Sequence, residues 1–428
     1  MFRPRRMPVL LAAAALTALG ITGCGSSGSS SSASDHVLTL WHYEDADSAM
    51  GVAWNEAIKE FEQQNPGWKV KVTHTSFEQI QKTAPMLLNS KNAPDVMEYN
   101  KGNATAGLLS KEGLLTDLTP AAKQYGWDAK LPANIQATSR YTNGVMGSGE
   151  WYGVPDYAEY AMVYYNKDLF KKYGIAVPTT WDQFTAALAE FKAAGITPLA
   201  NGGAEYPAQQ YLYELALQKA DPSWIKAYEE TGKANFHDAA WTYAANTFAD
   251  WVKKGYIAKN SVSQKAQDMG DAFEAGTSPM MISGDWWYGG FETEITKFDW
   301  GTFLIPGNTY AAGAGGNLWV VPKNSEHADM AEKFIDLTLQ PTVQNLLANK
   351  GQVPVAADTS AITDPRAKAL VQNYQTLVGR NGLAYYPDWP VPNFYATLTS
   401  ATQNLMNGQS PDSVLSSLQT AYDSGFSK

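Results

Sequence analysis

Between residues 37 and 99 short apolar segments alternate with amphipathic ones, and this alternation constrains the fold more than any other feature of the chain. Val37 to Trp41 reads as a short buried strand. Trp54, Ile58 and Phe61 then recur at i, i+4 and i+7, the spacing of one helix face, until Asn65-Pro66-Gly67 stops the run. In Trp68-Lys69-Val70-Lys71-Val72 apolar and basic residues alternate, as on a half-buried strand. A helix around Leu87 and Leu88 leads through Ala93-Pro94-Asp95 into the apolar piece Val96-Met97. Strand, helix, strand in succession predicts a mainly parallel sheet with helices on its faces, so the fold class is α/β. At 428 residues a single core would be oversized, and two domains or lobes of roughly 150 to 200 residues each are predicted.

The later segments fit that frame. Ala158 to Tyr165 is a strong apolar segment followed by a helical turn around Leu169 and Phe170. Thr180 with Gln183 predicts a capping box, Phe184, Leu188 and Phe191 supply the buried stripe of that helix, and Gly195 ends it. Further helices are predicted through Trp241, Phe248 and Trp251, through Met330, Phe334 and Leu337, and through Leu415, Leu418 and Tyr422 behind Ser410-Pro411.

Charge and composition remove several classes of function. With 32 Lys and Arg against 42 Asp and Glu the formal charge is −10, which offers no footprint for a DNA or RNA backbone, and nucleic acid is excluded as a partner. The single cysteine rules out an internal disulfide and any cysteine-based metal cage. The histidines stand at 36, 42, 74, 237 and 327 with no i, i+4 pair, so no metal is expected. No phosphate-cradling Gly-Lys-Ser or Gly-Lys-Thr loop is present, Gly313-Ala314-Gly315-Gly316 lacks the spacing of a dinucleotide fingerprint, and no Gly-x-Ser-x-Gly elbow occurs. No cofactor is expected. A glycosidase needs only two carboxylates facing each other across a cleft, and that enzyme alternative stays open.

The first 35 residues read as an address. Arg3, Arg5 and Arg6 precede a mostly apolar run from Val9 to Ile21 that is too short to span a membrane, and small residues follow it, so residues 1–23 are predicted to be a signal peptide. Leu19-Gly20-Ile21-Thr22-Gly23-Cys24 resembles a bacterial lipoprotein lipobox, which implies that Cys24 carries lipid (palmitate) and becomes the mature N-terminus. The alternative is an ordinary cleaved leader with an incidental cysteine. Residues 24–35 then form a Gly/Ser tether, whose ten residues Gly25 to Ser34 reach about 17 to 19 Å on average. Losing three arginines from 32 basic residues leaves 29 against 42 acids, a net of −13, so attachment to the outer face of the cell membrane would rest on the lipid alone.

Several stretches, in order along the chain, resemble the extracellular solute-binding proteins of carbohydrate ABC importers, the maltose-binding-protein-like family. They are Leu38-Thr39-Leu40-Trp41-His42, Phe61 to Gly67, Ala93-Pro94-Asp95-Val96, Tyr152-Gly153-Val154-Pro155, Tyr164 to Phe170, Pro178-Thr179-Thr180-Trp181, Pro279 to Trp287 and Gly315-Gly316-Asn317-Leu318-Trp319. The resemblance implies two α/β lobes of the periplasmic-binding-protein-like fold with a ligand cleft between them. Applied here it places 36–154 and 307–342 in lobe 1, and 155–306 and 343–428 in lobe 2, with crossings near Pro155, near Pro306 and past the helix of Phe334. It further implies a monomeric, non-enzymatic receptor that captures a sugar, an oligosaccharide from the abundance of tryptophan, and delivers it to a membrane permease driven by a separate ATPase. A polyamine or a phosphorylated polyol is the alternative cargo.

A sugar ring offers an apolar C–H face and a rim of hydroxyls, so a receptor needs flat aromatic platforms with planar hydrogen-bonding groups around them. The chain has 14 Trp and 23 Tyr. Trp54, Trp181, Trp241 and Trp251 fall on helical patterns and read as core. Trp286 and Trp287 follow Gly284-Asp285 at the end of a buried strand, where adjacent side chains diverge, so at least one is expected to stack on sugar. Asp285 borders the cleft by the resemblance, or else caps a turn. Trp389 sits among Pro387, Pro390 and Pro392, which hold it on a stiff loop as a platform or as a structural plug. Trp41, His42, Glu44 and Asp45 follow the opening strand, and Asn100 and Lys101 follow the strand of Val96, beyond the carboxyl ends where open α/β sheets bind ligands. Gly315, Gly316 and Asn317 would let backbone approach a ligand closely. Asp156 and Tyr157 at the first crossing, with Glu205 and Tyr206, complete the candidates.

Overall fold

The computed structural model describes residues 36–426; the expected leader, Cys24 and the tether lie outside the described residues. Strand Val37–His42 runs parallel to Lys69–His74 on one side and to Val96–Tyr99 on the other. Between the first two lies the helix Ala49–Gln64, which starts where the Ser48 hydroxyl accepts the Gly51 N–H at 2.9 Å and buries Trp54, Ala57 and Phe61 against the sheet. Helix Phe77–Leu88 makes the next crossover. Two later strands, Leu318–Val320 and Val154–Pro155, complete this five-stranded sheet, each antiparallel to its neighbours.

The second sheet is organised around Ala158–Asn166, a strand buried at every position. Tyr160, Met162 and Tyr164 enter one apolar core while Ala161, Val163 and Tyr165 enter the other, so neither face shows polar alternation. Met280–Gly284, Trp300–Phe303 and Ala311–Gly315 all pair antiparallel with it, and only Leu383–Ala384 joins in parallel, along Ala311–Gly315. The expectation of a mainly parallel sheet therefore holds for the opening strands and not for this second sheet. Apolar periodicity locates strands and helices but carries no information on the direction in which a strand returns. The capping box at Thr180 is also shifted: the Thr180 hydroxyl accepts the Gln183 N–H at 3.3 Å, but Gln183 Oε1 reaches back to the N–H of Thr179, at 2.8 Å.

The chain passes between the sheets at Asp156 and Tyr157, and returns at Gly316 and Asn317, between Ala311–Gly315 and Leu318–Val320. This second step falls later than Pro306. Trp300–Phe303 does end a strand there, but the chain turns at Gly307 and pairs again with the same central strand. The boundary expected after residue 342 also moves, because Pro341–Asn349 is one helix that packs on Ala49–Gln64 and buries Val343 and Leu347 in its core. The third step thus lies beyond Asn349. Two buried glutamines stitch the steps together: Gln344 donates to the Asp156 carbonyl at 2.9 Å and accepts the Val355 N–H at 2.8 Å, and Gln352 donates to the Ala158 carbonyl at 3.0 Å and to Asp285 Oδ2 at 2.9 Å.

The crossing at Gly316 is closed to any side chain. A Cβ there would lie 2.5 Å from the Tyr157 ring and 2.7 Å from the Tyr157 carbonyl oxygen. Gly316→Ala is expected to lower stability by about 1–3 kcal/mol, the usual cost of overpacking, in urea denaturation. Gly379→Ala, where a Cβ would meet nothing within 4 Å, is the control and should not destabilise.

Candidate ligand-binding site

The steps between the sheets bring polar and aromatic groups from both halves of the fold into one buried seam. At its centre is Lys101, just beyond strand Val96–Tyr99 and 2% exposed. Its ammonium pairs with Glu159 of the second sheet, lies 3.5 Å from Asn317 Oδ1, and sits 4.9 Å from the centre of the Trp389 ring. Asn317 Nδ2 donates to the Tyr157 hydroxyl at 2.7 Å and to Glu98 Oε1 at 3.4 Å. The Tyr157 hydroxyl is in turn bonded to Glu159.

Glu44, Glu98 and Asp156 continue the seam as a row of carboxyls in hydrogen-bonding contact with one another. Burial pushes each of them well above the ordinary carboxylate range, and the neighbouring acids push further in the same direction. Two carboxyls can bond each other only while one holds a proton. As carboxylates, Glu98 Oε2 and Asp156 Oδ2 have no donor in the protein, and the buried Tyr43 hydroxyl beside them is likewise without a partner. Burial also raises Glu159, with Lys101 opposing, so one cation serves four acids.

The other end of the seam is aromatic. Trp389 packs 5.5 Å from Tyr386, Tyr386 lies 6.2 Å from Trp286, and the Trp286 indole N–H donates to the Tyr206 hydroxyl at 3.0 Å. Gly284 makes this possible, since a Cβ there would fall 1.8 Å from the Trp286 ring. The buried Tyr386 hydroxyl has no partner. Across the seam Phe77 stands 5.3 Å from Tyr43, Tyr395 donates to Glu78 at 3.5 Å, and Gln81, on the same helix, has neither of its buried amide atoms bonded. Buried polar atoms without partners are rare in folded proteins. Those of Tyr43, Gln81, Glu98, Asp156 and Tyr386 lie along the seam beside the buried rings of Trp389 and Tyr386, while others, Trp54, Asn201 and Trp241 among them, lie elsewhere in the described residues.

Of the residues expected from the sequence, Glu44, Lys101, Asp156, Tyr157, Tyr206, Trp286, Asn317 and Trp389 stand in this network. Others stand elsewhere. Trp41 packs against Met97 and Tyr99 of the first sheet, in the same apolar cluster as Tyr43. His42 accepts the Glu44 N–H at 3.3 Å, and burial followed by the nearby His74 lowers it to about 4, so it is neutral. Asp45 is exposed, 3.8 Å from His74. Trp287 stacks on Phe291 and donates to Ser283, and its indole also reaches the Tyr206 hydroxyl that Trp286 donates to. Glu205 accepts the Ala266 N–H at 2.8 Å at the start of a helix. Asp285 accepts from the Tyr160 N–H and Gln352, as an internal strut. Asn100 is buried beside Lys101, with its carbonyl taken by the Ala106 N–H. Gly315 and Gly316 approach Thr138 and Tyr157. Sequence reasoning missed Tyr43, Gln81, Glu98, Glu159 and Tyr386. Glu98 and Glu159 did carry a signal: each is an acid inside an otherwise apolar strand, where a charge is costly unless it has work to do.

An α/β fold of two sheets joined by several crossings of the chain is shared with solved receptor structures. Residues 46–345 match the model of the bacterial extracellular solute-binding proteins, and the chain belongs to that family, whose members act outside the cytoplasm. It is 28% identical over 311 residues to a multiple sugar-binding protein of Streptococcus mutans, covering 68% of this chain and 69% of that one. It is 27% identical over 256 residues to a probable sugar-binding periplasmic protein of Mesorhizobium japonicum, 58% of each chain. Among solved structures a chitin oligosaccharide binding protein superposes with a TM-score of 0.79 at 22% identity over 92% of this chain and 99% of that one. The GacH receptor of Streptomyces glaucescens gives 0.73 at 21% over 92% and 99%. Among the described residues no helix is long and apolar enough to cross a membrane, and no group of three or more His, Cys, Asp and Glu side chains is placed to hold a metal ion.

The buried acids link stability to pH. Besides the seam, burial raises Glu214 and Glu229 to about 8. A carboxyl raised in the folded state binds its proton more tightly there than in the unfolded chain, so unfolding releases protons and stability falls as pH rises toward the folded value. His42, lowered to about 4, acts only below its unfolded value near 6.5. The melting temperature is therefore expected to fall between pH 6.5 and 8 in thermal scans, and Glu98→Gln should make the fall shallower. A melting temperature that rises over this interval would contradict the assignment.

Proposed function

We propose that this protein captures a sugar, an oligosaccharide, in the seam between its lobes and hands it unchanged to the membrane permease of an ABC importer driven by a separate ATPase. The observation that carries this reading is the coincidence, on one buried surface, of ring faces (Trp389, Trp286, Tyr386) with unpartnered polar atoms from both sides of the seam (Tyr43, Glu98, Asp156). Ring faces suit sugar C–H surfaces, and carboxylates and hydroxyls suit sugar hydroxyls. The sugar-binding names of the Streptococcus and Mesorhizobium relatives support the same cargo. We assign the first lobe to 37–155 and 317–349 and the second to 157–315 and 356–426. Sugar contacts made by both lobes would favour the closed arrangement that a permease recognises. The lipobox-like segment supports a signal peptide of residues 1–23 and a lipid anchor at Cys24 on the outer face of the membrane, and the receptor is read as a monomer.

Binding without chemistry is supported by the packing of the acids. A glycosidase places its two carboxyls about 5 to 9.5 Å apart around the scissile bond, whereas Glu98 is bonded to Glu44 on one side and to Asp156 on the other. A phosphorylated polyol is disfavoured because Lys101, the cation of the seam, is already taken by Glu159. A polyamine is the second reading, favoured by the number of acids gathered around one cation in the seam.

Intrinsic tryptophan fluorescence of the chain from Asp35 onward, titrated with mono- and oligosaccharides and with spermidine, tests these readings. A saturable change with one sugar class and no change in the mass of the sugar is expected, and Trp389→Ala should weaken binding about thirtyfold, the loss of about 2 kcal/mol typical of a buried aromatic anchor. Saturation by spermidine alone would replace the sugar with a polyamine, and a shortened product would make the protein an enzyme.

A further inference from the structure

We propose that the proline-rich segment of the second lobe, Pro387 to Tyr395, is a latch that docks directly on the first lobe and sets the receptor toward closure whether or not cargo is bound. Its contacts run from protein atom to protein atom, so the proposal goes beyond the sugar reading and holds whatever the cargo.

The segment is fixed on its own lobe. Pro387, Pro390 and Pro392 restrict its backbone, the Tyr228 hydroxyl donates to the Pro387 carbonyl at 2.5 Å, and Trp389 and Val391 are buried in the second apolar core. On the first lobe, Asn103–Gly107 is one wide helical turn, closed by the Gly107 N–H donating to the Gly102 carbonyl at 2.9 Å. The opening N–H groups of such a turn have no acceptor within it. That of Ala104 donates instead across the seam, to the Trp389 carbonyl at 3.0 Å, and the Asn103 amide donates to the Pro390 carbonyl at 3.3 Å. Asn103 is itself held in place by the Met146 N–H, which it accepts at 2.8 Å. Gly102, at φ 109°, lets the two backbones meet: a Cβ there would lie 2.6 Å from Trp389 Cβ.

The far end of the segment is held as well. The Phe77 ring lies 6.3 Å from that of Tyr395, and the Tyr395 hydroxyl donates to Glu78 at 3.5 Å. Two separate stretches of the first lobe thus grip one stiff stretch of the second, at Trp389 and Pro390 and again at Tyr395. Contacts made with and without cargo multiply the closed-to-open ratio of the free and the loaded receptor by the same factor. A receptor whose lobes meet only through ligand waits open. Here closure is set beforehand, and cargo enters through the open minority, which lowers its apparent affinity by the fraction open.

Pulsed electron–electron resonance on the ligand-stripped receptor tests the latch with no cargo involved. The single cysteine is Cys24, so the chain from Asp35 onward can carry spin labels at Lys82→Cys and Asn404→Cys alone, exposed positions on the helices Phe77–Leu88 and Phe394–Met406 of the two lobes. After unfolding and refolding to remove carried-over ligand, one short distance is expected, with an open component of about a tenth or less. Gly102→Ala drives a methyl into Trp389 only when the lobes are together, and should raise the open-to-closed ratio about tenfold. Gly113→Ala, also at positive φ but with nothing within 4 Å of its Cβ, carries the same kind of backbone strain and should leave the distances unchanged. Phe77→Ala, at a half-buried position, should shift the ratio in the same direction as Gly102→Ala and keeps the test decisive if that variant misfolds. A dominant long distance in the unsubstituted latch, or distances untouched by both Gly102→Ala and Phe77→Ala, would overturn the proposal, and neither result bears on whether sugar is the cargo.

Discussion

The ion pair between Lys101 and Glu159 is the constraint around which the seam is arranged. Lys101 follows a strand of the first sheet and Glu159 lies in the central strand of the second, so the pair ties the two halves at a point where both groups are almost fully out of water. A buried pair is weak evidence for stability, because desolvation offsets most of the attraction, but loss of one partner strands the other. Asn317, Tyr157 and the face of Trp389 complete the surroundings of this pair, and those residues lie at the two crossings and on the proline-rich loop. Geometry at the crossings and geometry at the site are thus the same geometry.

Burial sets the state of the neighbouring acids, and that one cation opposes it only in part. With their pKa values raised by burial and Lys101 paired with Glu159, Glu44, Glu98 and Asp156 share protons with one another or find donors elsewhere. A row of partly protonated carboxyls can both give and accept hydrogen bonds, which matches a ligand whose hydroxyls do both. Burial without full pairing is tolerable in a receptor because the ligand supplies the missing partners. The same feature would be a defect in a purely structural core.

Much of the fold could be read from periodicity, and the site only in part. The opening strands and helices, the long helix of Trp241, and the core role of Trp54 and Trp251 follow from apolar spacing. Strand direction in the second sheet does not, and neither does the return of the chain at Gly316 rather than Pro306, since pairing partners are decided by contacts far apart in sequence. Residues just past strand ends, such as Glu44, Lys101 and Asn317, were visible because the end of a strand is a place the sequence marks. Tyr43, Gln81 and Tyr386 were not, because their role depends on which opposing surface they meet. Trp286 and Trp287 show the limit well: their place at the end of a buried strand was legible, but which of them faces Tyr386 was settled only by packing over Gly284.

The central claim is that a sugar binds in the seam and joins the two sheets there. Hydrogen–deuterium exchange with and without the best-binding oligosaccharide tests it most directly. Slower exchange is expected at 96–107, 156–160, 315–318 and 385–394, segments that come from both halves of the fold and meet at Lys101. Slower exchange confined to one sheet, or at surfaces away from Lys101, would contradict it.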